Sequence, residues 1–154
     1  MNNMPQDARN QQQEYLRIST SLQQLEEQAS KIQEQLGMIY ESIENYKIAK
    51  KTIETIKDLK EEDQILLPIG NIVLAKAKIL DPQNFIVNIG ADISITKDAQ
   101  GTIDYIDKNI EILSKSQSET EKNFEQLIRE MQALEQRKNE IAREVSSKMT
   151  SQQK

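Results

Sequence analysis

Any catalytic chemistry in this chain would have to come from carboxylate, lysine, tyrosine or serine side chains, because the sequence contains no histidine and no cysteine. That absence excludes thiol nucleophiles, histidine proton shuttles, ordinary zinc sites and disulfides. Carboxylates are abundant, but they fall on the polar side of a helical pattern, where a solvated helix face accounts for them. Representative positions are Glu26, Glu27, Glu41, Glu44, Glu121 and Glu125.

Phosphate and metal binding have no better support. The four glycines stand alone at positions 37, 70, 90 and 101, so no glycine-rich loop can surround a phosphate group. Nothing in the spacing of the acidic residues indicates a magnesium site. We therefore predict no catalytic residue, no metal site, no cofactor and no enzymatic activity.

Composition and charge narrow the class further. With 29% charged residues and only four glycines in 154 residues, the chain has the profile of long helices. The net charge is −5 and the lysines alternate with glutamates, so nucleic acid is a poor partner. The N-terminal segment lacks an apolar signal core, and no apolar run approaches the roughly 18 residues that span a bilayer. We expect a cytoplasmic protein with no membrane partner.

The first helix, predicted over residues 12–60, carries an apolar seam whose spacing alternates between three and four residues. A 3.5-residue period kept over this length is typical of a coiled coil, because it imposes a left-handed supercoil. Lys50 is the one charged residue in the seam. The seam residues are Tyr15, Ile18, Leu22, Leu25, Ala29, Ile32, Leu36, Ile39, Ile43, Tyr46, Lys50 and Ile53.

The second helix, predicted over residues 98–148, begins at Asp98, a residue type that suits the N-cap position. Its seam has the same alternating spacing, interrupted by the polar residues Gln117, Thr120 and Lys138. The seam residues are Ile103, Ile106, Ile110, Leu113, Gln117, Thr120, Phe124, Leu127, Met131, Leu134, Lys138, Ile141 and Val145.

Two helices of matched length and period, joined by a compact insertion, predict an antiparallel coiled coil within a single domain, residues 1–154. Residues 1–11 and 149–154 fall outside the pattern, and we expect them to be disordered. The chain ends then meet at one tip of the coil. Tyr15 lies near Ile141 or Val145 there, because heptad spacing leaves registers one heptad apart open.

The insertion at residues 64–97, called the hub below, has apolar residues at a period of two. It predicts two β-hairpins, so the fold class is mainly α with a small β component. The four predicted strands cover Ile65–Ile69, Ile72–Ile79, Phe85–Ile89 and Ile93–Ile95.

Two hairpins of this size are too small to be stable alone, and their open edges invite strand pairing. We predict that the hub pairs with the hubs of other subunits. The alternative is that the helices of the same chain cover it. The predicted oligomerisation residues are Ile65, Leu67, Val73, Ala75, Phe85, Val87, Ile89, Ile93 and Ile95.

Apolar residues also gather at the predicted tip of the coil. Methionine adapts its shape to varied apolar partners, and a coil whose ends splay would expose these side chains for binding. The alternative is that most of them simply close the coil. The candidate binding residues are Met4, Tyr15, Leu16, Ile18, Ile141, Val145 and Met149.

The order of these segments resembles that of the archaeal α subunits of the prefoldin family, also called GimC, over nearly the whole chain. The resemblance is carried by the runs ILLPIGNIVLAKAKILD, FIVNIGADISITKDA and IDYIDKNIEIL. Four strand runs match the α class, since the β class carries one hairpin. The chain departs from the family after Pro68, where Gly70 and Asn71 replace several glycines.

The resemblance implies a hexamer of two α and four β subunits, in which the hub strands merge into a β-barrel body. It also implies an ATP-independent holdase that binds unfolded client proteins at the coil tips and passes them to a group II chaperonin. A different interpretation is a structural coiled-coil tether whose hub oligomerises. An enzyme or nucleotide-binding protein is the least supported alternative.

Overall fold

The computed structural model describes the backbone of residues 6–151 and the side chains of residues 9–147. The elements, in chain order, are helix α1 (Gln6–Ile56), strands β1 (Gln64–Ile69), β2 (Val73–Lys78), β3 (Asn84–Gly90) and β4 (Ile93–Asp98), and helix α2 (Ala99–Ser151). The fold is therefore mostly helical, with two long helices flanking two hairpins, as the sequence predicts.

The helix ends differ from the predicted ones by a few residues. Helix α1 begins six residues earlier than predicted, since Gln, Ala and Arg side chains tolerate a helix well, and it ends four residues earlier. Beyond Ile56 the backbone tightens, with Leu59 N–H donating to the Ile56 carbonyl (2.9 Å). Helix α2 begins where predicted, because Asp98 Oδ1 accepts the N–H of Gly101 (2.8 Å) and caps the first turn.

The predicted seams are the buried stripes of both helices. Every predicted seam residue of α2, from Ile103 to Val145, is buried or half-buried. The same holds in α1 from Ile18 to Ile53. Tyr15 marks the end of the stripe, with 36% of its surface exposed.

The chain divides into two compact units. The terminal unit comprises the residues up to Met38 and those from Gln117 onward, and the central unit comprises Ile39–Ser116. In the terminal unit the two helix segments run antiparallel around Ile18, Leu22 and Ile141. The half-buried residues packed on this cluster are Met131, Leu134 and Val145.

The central unit joins the hub to its helix segments through a second apolar cluster. The cluster consists of Ile53, Ala99, Ile103 and Ile106, and Phe85 of β3 packs against it. The seam lysine beside it is paired: Lys50 Nζ lies 2.7 Å and 2.8 Å from the two carboxylate oxygens of Asp107. The hydrogen bond to Asp107 is the largest cause of the raised pKa of Lys50. The charged seam residue of α1 is therefore paired with an opposite charge on α2.

Each hairpin is a separate two-stranded antiparallel sheet. In the first, Ile65 pairs with Ala77 and Leu67 with Ala75, and a three-residue loop begins at Gly70, whose φ is +69°. The second hairpin turns through Ala91 and Asp92, both with positive φ (49° and 59°). Two successive residues of positive φ form the type I′ turn that suits the twist of a two-residue hairpin.

The segment between the hairpins is fixed to the end of α1. Asp81 accepts hydrogen bonds from the backbone N–H groups of Gln83 (2.9 Å) and Asn84 (3.1 Å). Its pKa is lowered, chiefly by the side-chain amide of Asn84 and then by these N–H groups. The Gln83 side chain donates to the Lys57 carbonyl (2.8 Å), so it satisfies a carbonyl beyond the last turn of the helix.

Candidate functional site

The first candidate surface is the aliphatic side of the hub that the helices leave uncovered. On the first hairpin, Leu66 and Leu74 are 61% and 60% exposed. The register pairs Leu66 with Lys76 and Leu74 with Pro68, so the two leucines are diagonal neighbours on one face of the sheet. Ile72, in the connecting loop, is 94% exposed. Exposed aliphatic side chains on a two-stranded sheet indicate a surface that a partner covers.

The second hairpin shows the same feature. Ile86 is 81% exposed, and Ile89 and Ile93 are also exposed. Asn88 and Gly90 lie at an irregularity of the ladder, where Gly90 N–H donates to the Asn88 side chain (2.9 Å). A bulge at this point increases the local twist of the hairpin.

The predicted oligomerisation residues fall into three environments. Leu67, Val73, Ile89 and Ile93 are exposed, and Ile65, Ala75, Val87 and Ile95 are half-buried. Phe85 is half-buried too, and it packs on the helix cluster of its own chain.

The most exposed aliphatic residues of the hub were not among those chosen from the sequence. They are Leu66, Ile72, Leu74, Leu80 and Ile86. Four of them, Leu66, Ile72, Leu74 and Ile86, form the second apolar face that the sequence pattern predicts and that favours pairing with other hubs. On the second hairpin, Phe85 packs against the helices of its own chain, and a period of two does not reveal that contact.

The second candidate surface is the end of the terminal unit formed by the start of α1 and the end of α2, called the outer end below. Leu16 is 58% exposed there and Val145 is half-buried. Two predicted binding residues are not accessible: Ile18 is 7% exposed and Ile141 is 1% exposed. As seam residues they face the opposite helix, and the coil is closed around them. Met4 and the Met149 side chain lie outside the described residues.

Polar contacts fasten the outer end. Arg137 Nε and Nη2 donate to the two carboxylate oxygens of Glu14 (2.9 Å and 3.2 Å), and the Gln11 amide donates to Glu144 (2.7 Å). The hydrogen bond from Arg137 is the main reason that the pKa of Glu14 lies below its ordinary value. The Lys138 ammonium lies 5.4 Å from the centre of the Tyr15 ring, within cation–π range. These contacts fix the register that heptad spacing left open.

The described residues bring together no arrangement typical of catalysis. Among the side chains of residues 9–147, no three acidic groups are placed so as to hold a metal ion. A depression of about 510 Å³ is lined by the exposed residues Asn139, Ala142, Arg143 and Ser146, and it contains no paired acid and base. Over the described part of the chain, neither helix has a stretch long and apolar enough to cross a membrane.

Comparison with known proteins agrees with this architecture. Residues 25–144 match the family model described as "Prefoldin subunit". The prefoldin subunit alpha of Methanospirillum hungatei is 34% identical over 135 residues, which cover 77% of this chain and 89% of that protein. The prefoldin subunit alpha of Methanococcus aeolicus is 33% identical over 75% of this chain and 88% of that protein.

A solved structure shows the same fold. The structure described as filamentous PFD from Methanocaldococcus jannaschii superimposes with a TM-score of 0.66 at 20% identity, covering 75% of this chain and 96% of that chain. The family match, the archaeal α-subunit relatives and the two hairpins between heptad helices together show that this chain belongs to the prefoldin family and is a chaperone-type subunit.

Proposed function

We propose that the chain is a subunit of an ATP-independent holdase, assembled through its hub and binding non-native proteins at the outer end of its coiled coil. Prefoldin subunits form complexes with other prefoldin subunits. The observation that carries the proposal is the exposed hub surface of Leu66, Leu74 and Ile86 on two separate two-stranded sheets, in a chain of this family.

The assembly that fits is a hexamer of two α and four β subunits in the cytoplasm, with the hub strands completing one another's sheets as a barrel. This assembly would cover the predicted oligomerisation residues, from Ile65 to Ile95. It would also cover the more exposed hub residues Leu66, Ile72, Leu74, Leu80 and Ile86. Strand pairing satisfies the backbone groups of the open edges, and burial of aliphatic side chains supplies the free energy.

Client binding fits the outer end for a physical reason. Leu16 is exposed and follows Tyr15 in α1, and Val145 packs against the apolar cluster of the same unit. Several coils, each offering a weak apolar contact, together hold a client that has no fixed shape, because linked weak sites raise the overall affinity. A client held in this way is passed to a group II chaperonin without nucleotide hydrolysis.

The test uses the full-length chain co-expressed with a β-class prefoldin subunit and a denaturant-unfolded enzyme as client. We expect the assembly to suppress light scattering from the aggregating client with and without ATP. Deleting residues 1–18 and 141–154 should abolish suppression and leave the assembly mass otherwise intact. Suppression that survives the deletion would contradict the assignment of the outer end, and a stable assembly that never suppresses aggregation would favour a structural tether.

A further inference from the structure

We propose that the outer end is a latched site: the Glu14–Arg137 and Gln11–Glu144 contacts, called the latch, hold closed an apolar site of Ile18, Leu22 and Ile141 that clients enter. The inference rests on the proposed function and adds how access to that binding surface is controlled.

The geometry places the latch beside the apolar cluster of the terminal unit, which consists of Ile18, Leu22 and Ile141. Ile141 is the most deeply buried side chain of the described residues, and Ile18 and Leu22 pack beside it at 7% and 6% exposure. Glu14 lies one helical turn before Ile18, and Arg137 lies one turn before Ile141. The ion pair therefore joins the two helices at the level of the cluster, and parting the helices there would expose it.

The charges of the latch are only partly shielded from water. The side chains of Arg137 and Glu14 are 44% and 42% exposed, so their attraction is weakened by solvent and by salt. The bidentate geometry gives the contact direction as well as strength, but its exposure to water keeps the net contribution of the pair small. The latch lies about two turns from the start of α1 and about four turns from the end of α2, and a helix pair opens more readily towards its ends than in its middle. The closed end is therefore stable enough to hide the cluster and weak enough to open when a client supplies apolar contacts.

The apparent affinity for a client depends on the fraction of molecules whose outer end is open. When only a fraction of the molecules is open, the apparent dissociation constant is the intrinsic one divided by that fraction. Loss of an exposed ion pair should raise a small open fraction about two- to five-fold, and client affinity should increase by the same factor. A merely structural ion pair would give the opposite result, since weakening the coil would then weaken binding.

The chain offers a matched pair of variants. Arg137→Ala removes the interhelical pair, whereas Arg129→Ala removes an arginine of the same helix whose partner, Glu125, lies on that helix too. Hydrogen exchange of residues 14–22 and 137–145 reports opening without any client. Light scattering of a denaturant-unfolded enzyme reports capture by the same assembly.

We expect Arg137→Ala to speed hydrogen exchange in these segments and to lower two- to five-fold the client concentration that half-saturates the assembly. Arg129→Ala should behave like the wild type in both measurements. Raising the salt concentration should speed exchange in the wild type and have a smaller effect in Arg137→Ala. Unchanged exchange, or faster exchange with unchanged or weaker capture, would overturn the latch and leave the proposed function standing. Failure of the wild type to capture the client would overturn both.

A reversible lock gives an independent check, because the chain has no native cysteine. Gln11→Cys with Glu144→Cys, joined by a short disulfide-containing bismaleimide, should hold the end closed and abolish the gain in capture that Arg137→Ala produces. Reduction of the linker should restore that gain. Gln11→Cys alone, treated with the same reagent, is the control. Full capture by the locked protein would refute the proposed opening.

Discussion

Replacing Leu66 and Leu74, two of the exposed leucines of the first hairpin, with serine should weaken assembly without unfolding the chain. Fully burying a leucine contributes about 1.5–3 kcal/mol. Leu66 and Leu74 are 61% and 60% exposed in the isolated chain, so covering the remainder with a partner contributes about 1–2 kcal/mol for each. Since 1.4 kcal/mol is about tenfold in a dissociation constant, each substitution should cost about tenfold.

The double variant should lose up to about a hundredfold, and somewhat less if the neighbouring side chains share partners. The assay is sedimentation velocity of the chain titrated with a β-class prefoldin subunit, with circular dichroism to confirm the helical content. Leu16→Ser is the matched control, since Leu16 is 58% exposed but lies at the outer end. An unchanged dissociation constant for the double variant, or an equal loss for the control, would refute the hub as the assembly surface.

Three further predictions concern stability. Gly37→Ala should raise the free energy of unfolding by up to about 1 kcal/mol, because an added Cβ at Gly37 meets no atom within 4 Å. Gly101→Ala should show no such gain, because its Cβ would lie 2.6 Å from the Asp98 oxygen that caps α2. Urea denaturation of both variants measures this, and a destabilised Gly37→Ala would contradict it. Ile141→Ala should cost about 2–5 kcal/mol, as expected for a buried isoleucine, and a change below about 0.5 kcal/mol in the same assay would show that the coil is open there. Because the folded-state pKa of Glu14 lies below its ordinary value of 4.5, its contribution is complete above about pH 4.5 and is lost as the pH falls through the lowered pKa. The protection of outer-end amides, taken relative to the intrinsic exchange rate at each pH, should therefore fall over that range in the wild type, and an equal fall in Glu14→Gln would contradict this.

Much of the fold could be predicted from local pattern. The seam positions from Ile18 to Val145 follow from a 3.5-residue period, since burial along a coiled coil repeats with that period. Asp98 could be identified as a cap because its side chain bonds backbone three residues ahead. The two hairpins could be predicted because the apolar period drops to two between the helices. These features depend on residues close together in sequence.

The features that sequence did not predict depend on residues far apart. The register of the coil brings Glu14 to Arg137 and Lys50 to Asp107. A heptad pattern alone does not distinguish this register from one shifted by seven residues. On the second hairpin, Phe85 packs against helices outside the hub, and a period of two does not predict that contact. Ile18 and Ile141 are buried because the coil is closed at this end. A closed coil and a splayed coil have the same seam, so the sequence pattern does not distinguish them.

The most direct measurement of the central claim is site-specific photo-crosslinking between this chain and a non-native client. A photoreactive phenylalanine analogue would replace either Leu16 at the outer end or Ile48 in the central unit, which are 58% and 57% exposed. Because the two positions are equally exposed, nonspecific apolar binding does not explain a difference in their crosslinking yields. We expect the chain carrying the analogue at position 16 to crosslink to a denaturant-unfolded enzyme and not to the folded enzyme, with little product from position 48. Equal crosslinking at the two positions, or stronger crosslinking at position 48, would contradict it.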